Sequence, residues 1–175
     1  APLIAVLSLA IVIESRGLPF FRHIRVTRNG RRFGCLKLRT MYANAEEHLQ
    51  TDAALYDAYL LNNYKIPEEN DPRITQLGRF LRRTSLDELP QFWNVLKGDM
   101  RLIGPRAYMP REKYKMSGLD DMILKIHPGI SGLWQVTDRN ESSFEERVHT
   151  DIYYIRNWSM FLDIYILART IGVVL

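Results

Sequence analysis

The stretch from Arg82 to Arg106 reads RRTSLDELPQFWNVLKGDMRLIGPR, and its reading sets the fold around it. Two adjacent carboxylates, Asp87 and Glu88, follow Arg82 and Arg83, and Gly104-Pro105-Arg106 closes the stretch. An acidic pair bracketed by arginines suggests an anionic, phosphorylated substrate and a divalent cation that masks its charge. Locally, Ser85-Leu86-Asp87-Glu88 matches a capping box, with Ser85 at the N-cap and Glu88 three residues on. Lys97 and Gly98 supply a helix C-terminus, so the pattern predicts one helix over 86–97 with Pro90 tolerated near its start. Taken alone, the pair also suits an ordinary helix start, where both carboxylates complement the helix dipole.

Upstream, Thr75 is placed to cap a short helix that runs through Arg83. Residues 65–72, KIPEENDP, form a polar loop too short for a domain linker. The segment 43–61 reads as a helix, with Leu49, Ala53, Tyr56 and Leu60 at helical spacing for core contact. Before it, Phe20 to Val26 and Arg32 to Met41 flank Asn29-Gly30, the strongest short hairpin signal. On the second strand Phe33, Cys35, Lys37 and Arg39 share one face, and Leu36 and Leu38 share the other. Two neighbouring cations on a strand either decorate the surface or face an anion.

The chain opens with an apolar run, Leu3 to Ile13, interrupted only by Ser8. As a helix, eleven residues rise roughly 16 Å, about half the hydrocarbon thickness of a bilayer. Such a run fits a re-entrant, interfacial or core segment. No lysine or arginine precedes it and no small-residue cleavage site follows, which argues against a signal peptide. The sequence begins Ala-Pro without an initiating Met and is expected to be an excerpt. From Ser15 to Ala45 there is no acidic residue, whereas Arg16, Arg22, Arg25, Arg28, Arg31, Arg32, Lys37 and Arg39 fall there. A basic block directly after an apolar run favours a membrane segment, with the block on the cytoplasmic side.

Downstream, 110–126 reads as helical, and HPGISGLWQV (127–136) as a Gly/Pro loop running into an extended segment. Asp138-Arg139-Asn140 makes a turn. Ser142 or Ser143 then caps a helix to about Asn157, with Glu145 or Glu146 in the reciprocal position. The last helix, 159–175, carries only Asp163 and Arg169 as charges, and suits a membrane interface or a core. At 175 residues, the length suits a single domain with a real core. The lone Cys35 excludes an intrachain disulfide, and four scattered histidines show no zinc-ligand spacing. A nucleic-acid-binding module built on the basic hairpin would leave Asp87 and Glu88 without a task, so nucleic acid is not expected as a partner.

Several stretches together carry a more specific likeness. They are Leu18-Pro19-Phe20-Phe21, Lys37-Leu38-Arg39-Thr40-Met41, Asp71-Pro72-Arg73-Ile74-Thr75 and Gly78-Arg79-Phe80-Leu81-Arg82. The dense centre runs from Ser85 to Gln91 and from Asn94 to Met100, and Gly104-Pro105-Arg106, 128–136 and Arg139-Asn140 complete it. Over nearly its whole length the chain resembles the bacterial sugar transferase family, the monotopic polyprenyl-phosphate phosphoglycosyltransferases.

The resemblance implies an α+β, mainly helical fold: a single catalytic domain with a small β-hairpin, a membrane-inserted re-entrant N-terminal helix and interfacial amphipathic helices. Residues 1–15 would be the returning half of the re-entrant helix and 16–175 the catalytic domain. It implies transfer of a sugar 1-phosphate from a UDP-sugar to undecaprenyl phosphate with release of UMP, as the first membrane step of capsule, O-antigen or exopolysaccharide synthesis. Asp87 would be the nucleophile that forms an aspartyl-phosphosugar intermediate, and Glu88 would hold Mg²⁺. Lys37, Arg39, Arg82, Pro105, Arg106 and Arg139 match positions expected around the phosphates or nucleotide. The implied setting is the cytoplasmic face of the bacterial inner membrane, among membrane lipids, with a homo-oligomer admitted. Arg83 has no such match and reads as a structural or surface residue; Asp99 reads as a residue supporting the site from behind its ligands or as a helix-end partner, and not as a metal ligand.

Two departures stand out. The family usually has Pro-Arg-Pro where this chain has Pro105-Arg106-Ala107, and often Gly-Arg-Asn where it has Asp138-Arg139-Asn140. The first bears on the stiffness of the nucleotide loop, the second on the effective charge of Arg139. A membrane-associated Mg²⁺-dependent phosphohydrolase using the same Asp87 is the rival reading; water would then resolve the intermediate in place of the lipid phosphate.

Overall fold

The computed structural model describes residues 2–62, 66–116, 118–137 and 143–174. Its elements run α1 (Pro2–Ser15), β1 (Phe20–Val26), β2 (Arg32–Leu38), α2 (Ala45–Thr51), α3 (Ala53–Leu61), α4 (Gln76–Arg83), α5 (Gln91–Leu96), β3 (Arg101–Ile103), α6 (Asp120–Ile123), β4 (Gly129–Ser131), α7 (Leu133–Thr137), α8 (Phe144–Arg156) and α9 (Met160–Val174). Turns of 3₁₀ helix lie at Arg28–Gly30, Glu68–Asn70, Leu86–Glu88 and Pro110–Lys115. The class is α+β and mainly helical, with two small sheets, β1-β2 and β3-β4. The chain divides into two compact units, Ala1–Phe21 with Lys37–Leu89, and Arg22–Leu36 with Pro90–Leu175.

The first unit is built on α1 and α4. Ile4, Leu7 and Ile11 lie three and four residues apart, one stripe of α1, and pack with Leu38, Leu77, Leu81 and Leu86. Five further apolar residues of α1 are uncovered: Leu3, Val6, Leu9, Val12 and Ile13 are exposed. At fourteen residues α1 rises about 21 Å. Among the described residues no helix is long and apolar enough to cross a membrane. Thr75 caps α4 as expected, accepting a hydrogen bond from the Gly78 N–H at 2.9 Å. Asp71 and Arg73, both buried, form a two-pronged ion pair at 2.8 Å on each arm. Burial alone would raise the Asp71 carboxyl, but the Arg73 hydrogen bonds hold it below its ordinary value.

The expected single helix over 43–61 is two helices. Asp52 leaves helical geometry at φ −94°, ψ 101°, and its carboxylate accepts from the Leu55 N–H at 3.0 Å, ending α2 and capping α3. The predicted apolar stripe is broken with it: Leu49 is buried, whereas Tyr56 and Leu60 are exposed.

In the second unit, Asn29 and Gly30 take positive φ (61° and 72°), as their turn requires, although the turn uses three residues, Arg28–Gly30. β2 stops at Leu38, short of the expected Met41. Phe33 and Cys35 share one buried cluster with Met100. β3 and β4 pair in parallel, with Arg101 opposite Gly129 and Ile103 opposite Ser131. A Cβ on Gly104 would lie 2.8 Å from the Gly129 backbone nitrogen, so the two backbone segments approach this closely only because both residues are glycine. Leu133–Thr137, expected to be extended, is helical; the extended part is only Gly129–Ser131. The expected helix over 110–126 is a 3₁₀ turn and a short helix, with Gly118 at φ 81° between them. Ser143 and Glu146 form the predicted capping box at the start of α8.

Candidate active site

The carboxylate pair sits on a turn fastened to β2 and α4. Gly78 lets α4 lie against the Thr40 backbone, because any side chain there would overlap the Thr40 carbonyl. The Thr75 N–H donates to that same carbonyl at 3.1 Å. The end of β2 is therefore tied to the start of α4, and Lys37, near that end, meets the turn that follows α4. Lys37 Nζ lies 2.7 Å from Glu88 Oε1 and 3.4 Å from Asp87 Oδ2. Asp87 is buried at 6% exposure, whereas Glu88 is part-exposed. Beneath them Leu86 packs into the cluster of Leu7, Ile11 and Leu81.

The capping box predicted at Ser85 does not form. Ser85 adopts a left-handed conformation (φ 55°, ψ 16°) and makes no side-chain cap bond. Its N–H already donates to the Arg82 carbonyl at 3.2 Å, and Glu88, which should have reached back to it, is held by Lys37. The expected helix over 86–97 is a 3₁₀ turn, Leu86–Glu88, followed by the six-residue α5 from Gln91. Pro90 has no N–H to donate, so the hydrogen-bond ladder cannot run through it. The pair consequently gains little from a helix dipole. On a 3₁₀ turn successive side chains diverge by about 120°. Asp87 turns inward and Glu88 outward.

Burial pushes the Asp87 carboxyl above its usual range. The Lys37 ammonium opposes this rise, the Glu88 charge adds to it, and Arg82 also opposes it. Oδ1 of Asp87 carries no hydrogen bond among the described residues. One oxygen of this buried carboxylate is thus steered by a cation.

Of the other residues singled out from the sequence, Arg82 belongs to the same cluster. Its Nε donates to Thr40 Oγ1 at 2.9 Å, and its NH1 meets Glu68 at 3.2 Å. Among the described residues Arg39 forms no hydrogen bond or ion pair with the pair; its guanidinium packs on Gly17, where a methyl group would overlap it. Arg83 is exposed, as expected of a surface residue. Asp99 pairs with Arg31 at 2.6 Å. Arg139 lies outside the described residues.

Pro105 and Arg106 belong to the second unit, directly after β3. The Arg106 guanidinium lies over the Trp134 ring, 5.1 Å from its centroid, and Arg147 lies 5.5 Å from the same ring. Among the described residues Arg106 forms no ion pair with a carboxylate side chain. The Arg106 N–H donates to Asp151 Oδ2 at 2.9 Å, and the Tyr108 hydroxyl donates to the same oxygen at 2.8 Å. Sequence reading missed Asp151, Tyr108 and Thr40. Asp151 did leave a signal: it stands on the stripe of α8 that holds Val148 and Ile152, where a lone carboxylate must have buried partners.

The donor set suits magnesium. Mg²⁺ binds through hard oxygens, often one or two carboxylates plus substrate phosphates. Asp87 and Glu88 offer such oxygens side by side, at a point where the Lys37 ammonium shows that positive charge is already favoured. Among the described residues no group of three or more His, Cys, Asp or Glu is poised to hold a metal, so remaining ligands would come from phosphate and water.

A buried carboxylate steered by a lysine beside a second carboxylate is equipped for phosphoryl chemistry. The family model described as Bacterial sugar transferase matches residues 1–175. The chain is 47% identical over 174 residues to the UDP-galactose-lipid carrier transferase of Erwinia amylovora, covering 97% of this chain and 36% of that protein. It is 44% identical to the undecaprenyl-phosphate galactose phosphotransferase of Salmonella typhimurium, over 94% of this chain and 35% of that one. It is 37% identical to the exopolysaccharide production protein ExoY of Rhizobium meliloti, over 99% of this chain and 77% of that one. The chain belongs to the bacterial sugar transferase family. It spans about a third of the length of the first two relatives.

Proposed function

We propose that this chain is the catalytic part of a phosphoglycosyltransferase that moves a sugar 1-phosphate from a UDP-sugar to undecaprenyl phosphate. The observation that carries the reading is the buried Asp87 carboxylate beside Glu88, with Oδ2 near Lys37 and Oδ1 without a hydrogen bond among the described residues. Family membership and the names of the relatives supply the substrate class.

In the first step an Asp87 oxygen attacks the phosphorus that bears the sugar. The phosphoanhydride bond breaks, UMP leaves with the bonding electron pair, and Asp87 carries an acyl phosphate linked to the sugar. In the second step an oxygen of undecaprenyl phosphate attacks that phosphorus. A new phosphoanhydride forms and the Asp87 carboxylate is restored. Lys37 favours the ionised form of Asp87 against the effect of burial and attracts the anionic diphosphate. Arg82, fixed by Thr40, adds positive potential at Asp87. Glu88 would hold Mg²⁺, which supplies charge neutralisation on the diphosphate and the leaving phosphate. By resemblance Arg39, Arg106 and Arg139 take the remaining phosphate charge. The exposed apolar face of α1 and the exposed Met160, Phe161, Ile164, Leu167 and Ile171 of α9 support a seat in the cytoplasmic face of the inner membrane.

The test is UMP release from a panel of UDP-sugars, with and without undecaprenyl phosphate. The proposal expects sustained release only with the lipid phosphate. Sustained release that ignores the lipid would overturn it in favour of the phosphohydrolase.

A further inference from the structure

Arg106 leaves β3 on a loop whose expected second proline is Ala107, so the loop lacks one source of stiffness. What fixes it lies in the second unit. The Arg106 N–H and the Tyr108 hydroxyl converge on one oxygen, Asp151 Oδ2, at 2.9 and 2.8 Å. Asp151 is fully buried on α8. The residue between, Ala107, is held through its carbonyl by Arg25 NH1 at 3.0 Å. Ahead of it the Pro105 carbonyl accepts from the Gly129 N–H at 2.9 Å, tying the loop to β4. Every residue from 105 to 108 is therefore anchored, and the one anchor that is a buried ionisable group is Asp151.

We propose that Asp151 is a positioning residue for nucleotide binding: it fixes the backbone of Arg106 so that the guanidinium projects over Trp134 to meet a nucleotide phosphate. This rests on the reading of Arg106 as a phosphate-binding residue. Asp151 itself touches no substrate. Its second oxygen, Oδ1, is buried and has no hydrogen-bond partner among the described residues. Burial pushes the carboxyl up to about 7. A proton on Oδ1 leaves Oδ2 able to accept both hydrogen bonds, so the clamp holds in either protonation state. A residue kept buried at the cost of an orphan oxygen, where an apolar side chain would pack without one, points to the loop it holds.

The experiment is calorimetric binding of UMP with Mg²⁺ to the full-length protein in its membrane or in detergent. Wild type is compared with Asp151→Leu, Asp151→Asn, Tyr108→Phe and Arg106→Ala. Leucine removes both acceptors, whereas asparagine keeps a carbonyl oxygen in place of Oδ2. Asp151→Leu and Arg106→Ala should each weaken UMP about tenfold, the scale of one lost hydrogen bond. Asp151→Asn should return to within about threefold of wild type. A merely structural role for Asp151 would instead lower the number of binding sites and leave the Kd of folded molecules unchanged. Should Asp151→Leu fail to fold, Tyr108→Phe decides: it keeps the ring, removes one of the two bonds, and should weaken UMP about threefold. Wild-type Kd in Asp151→Leu or, failing that, in Tyr108→Phe, with Arg106→Ala impaired, overturns the inference. Wild-type Kd in Arg106→Ala overturns the reading of Arg106, and the inference with it.

Discussion

At the scale of single residues, Asp87 is held against its own stability. Burial raises its carboxyl, so the folded chain binds a proton here more readily than the unfolded chain. The sign follows: the contribution to stability is complete below the ordinary carboxylate range, near pH 3.9, and is lost as pH rises through the elevated folded value. Replacing the charge should relieve that loss. Asp87→Asn is expected to abolish turnover, by at least about a thousandfold, and to melt no lower than wild type at pH 8, with any advantage shrinking towards pH 4. Thermal melts at both pH values check this; a variant that melts well below wild type at pH 8 contradicts it. Lys37 makes a second case. Its ammonium favours ionised Asp87, so Lys37→Met should raise the Asp87 carboxyl further and move the acid limb of the pH–activity profile upward. An acid limb that stays in place would remove Lys37 from that role.

At the scale of elements, legibility followed the range of the interactions that set each element. Thr75 before α4, Ser143 and Glu146 before α8, and Asn29-Gly30 between β1 and β2 could be read because each is decided within four residues. The Ser85 capping box failed because Glu88 has a partner fifty-one positions away, Lys37, which a local pattern does not contain. The β3-β4 pair was unreadable: three-residue strands in parallel register, separated by a crossover of about 25 residues, leave no periodicity. Only Gly104 and Gly129 hinted at it. Gly129→Ala would press a methyl group into the Gly104 and Ser131 backbone. A loss of about 1–3 kcal/mol in denaturant unfolding is expected, and full wild-type stability would show that the strands can part without cost.

At the scale of the whole molecule, the apolar run and the charge pattern suggested a membrane-facing chain, and α1 has one covered and one uncovered apolar face. Ile4, Leu7 and Ile11 face a core; Leu3, Val6, Leu9, Val12 and Ile13 do not. Leu7→Ala should cost about 2–5 kcal/mol of folding stability. Leu9→Lys, at a residue 64% exposed, should leave folding intact and lower partition into anionic vesicles. Equal partition of Leu9→Lys and wild type would place that face away from lipid. The site itself was partly legible. Lys37 meets Asp87 and Glu88, and Arg82 bonds to Thr40 beside them, because β2 and α4 are fastened at Thr40. Among the described residues Arg39 forms no hydrogen bond or ion pair with Asp87 or Glu88, and Asp151 showed in the sequence only as a lone carboxylate on an apolar stripe, because its partners, a backbone N–H and a hydroxyl, lie over forty positions away.

The central claim is that Asp87 carries the phosphosugar. Intact-mass spectrometry after mixing the protein with its UDP-sugar and Mg²⁺, without undecaprenyl phosphate, tests it most directly. The account predicts one added sugar phosphate per chain, mapped to the peptide that contains Asp87, absent in Asp87→Asn and discharged on adding the lipid phosphate. Full turnover on later addition of lipid, with no adduct at any stage of quenching, or an adduct that persists in Asp87→Asn, would contradict it.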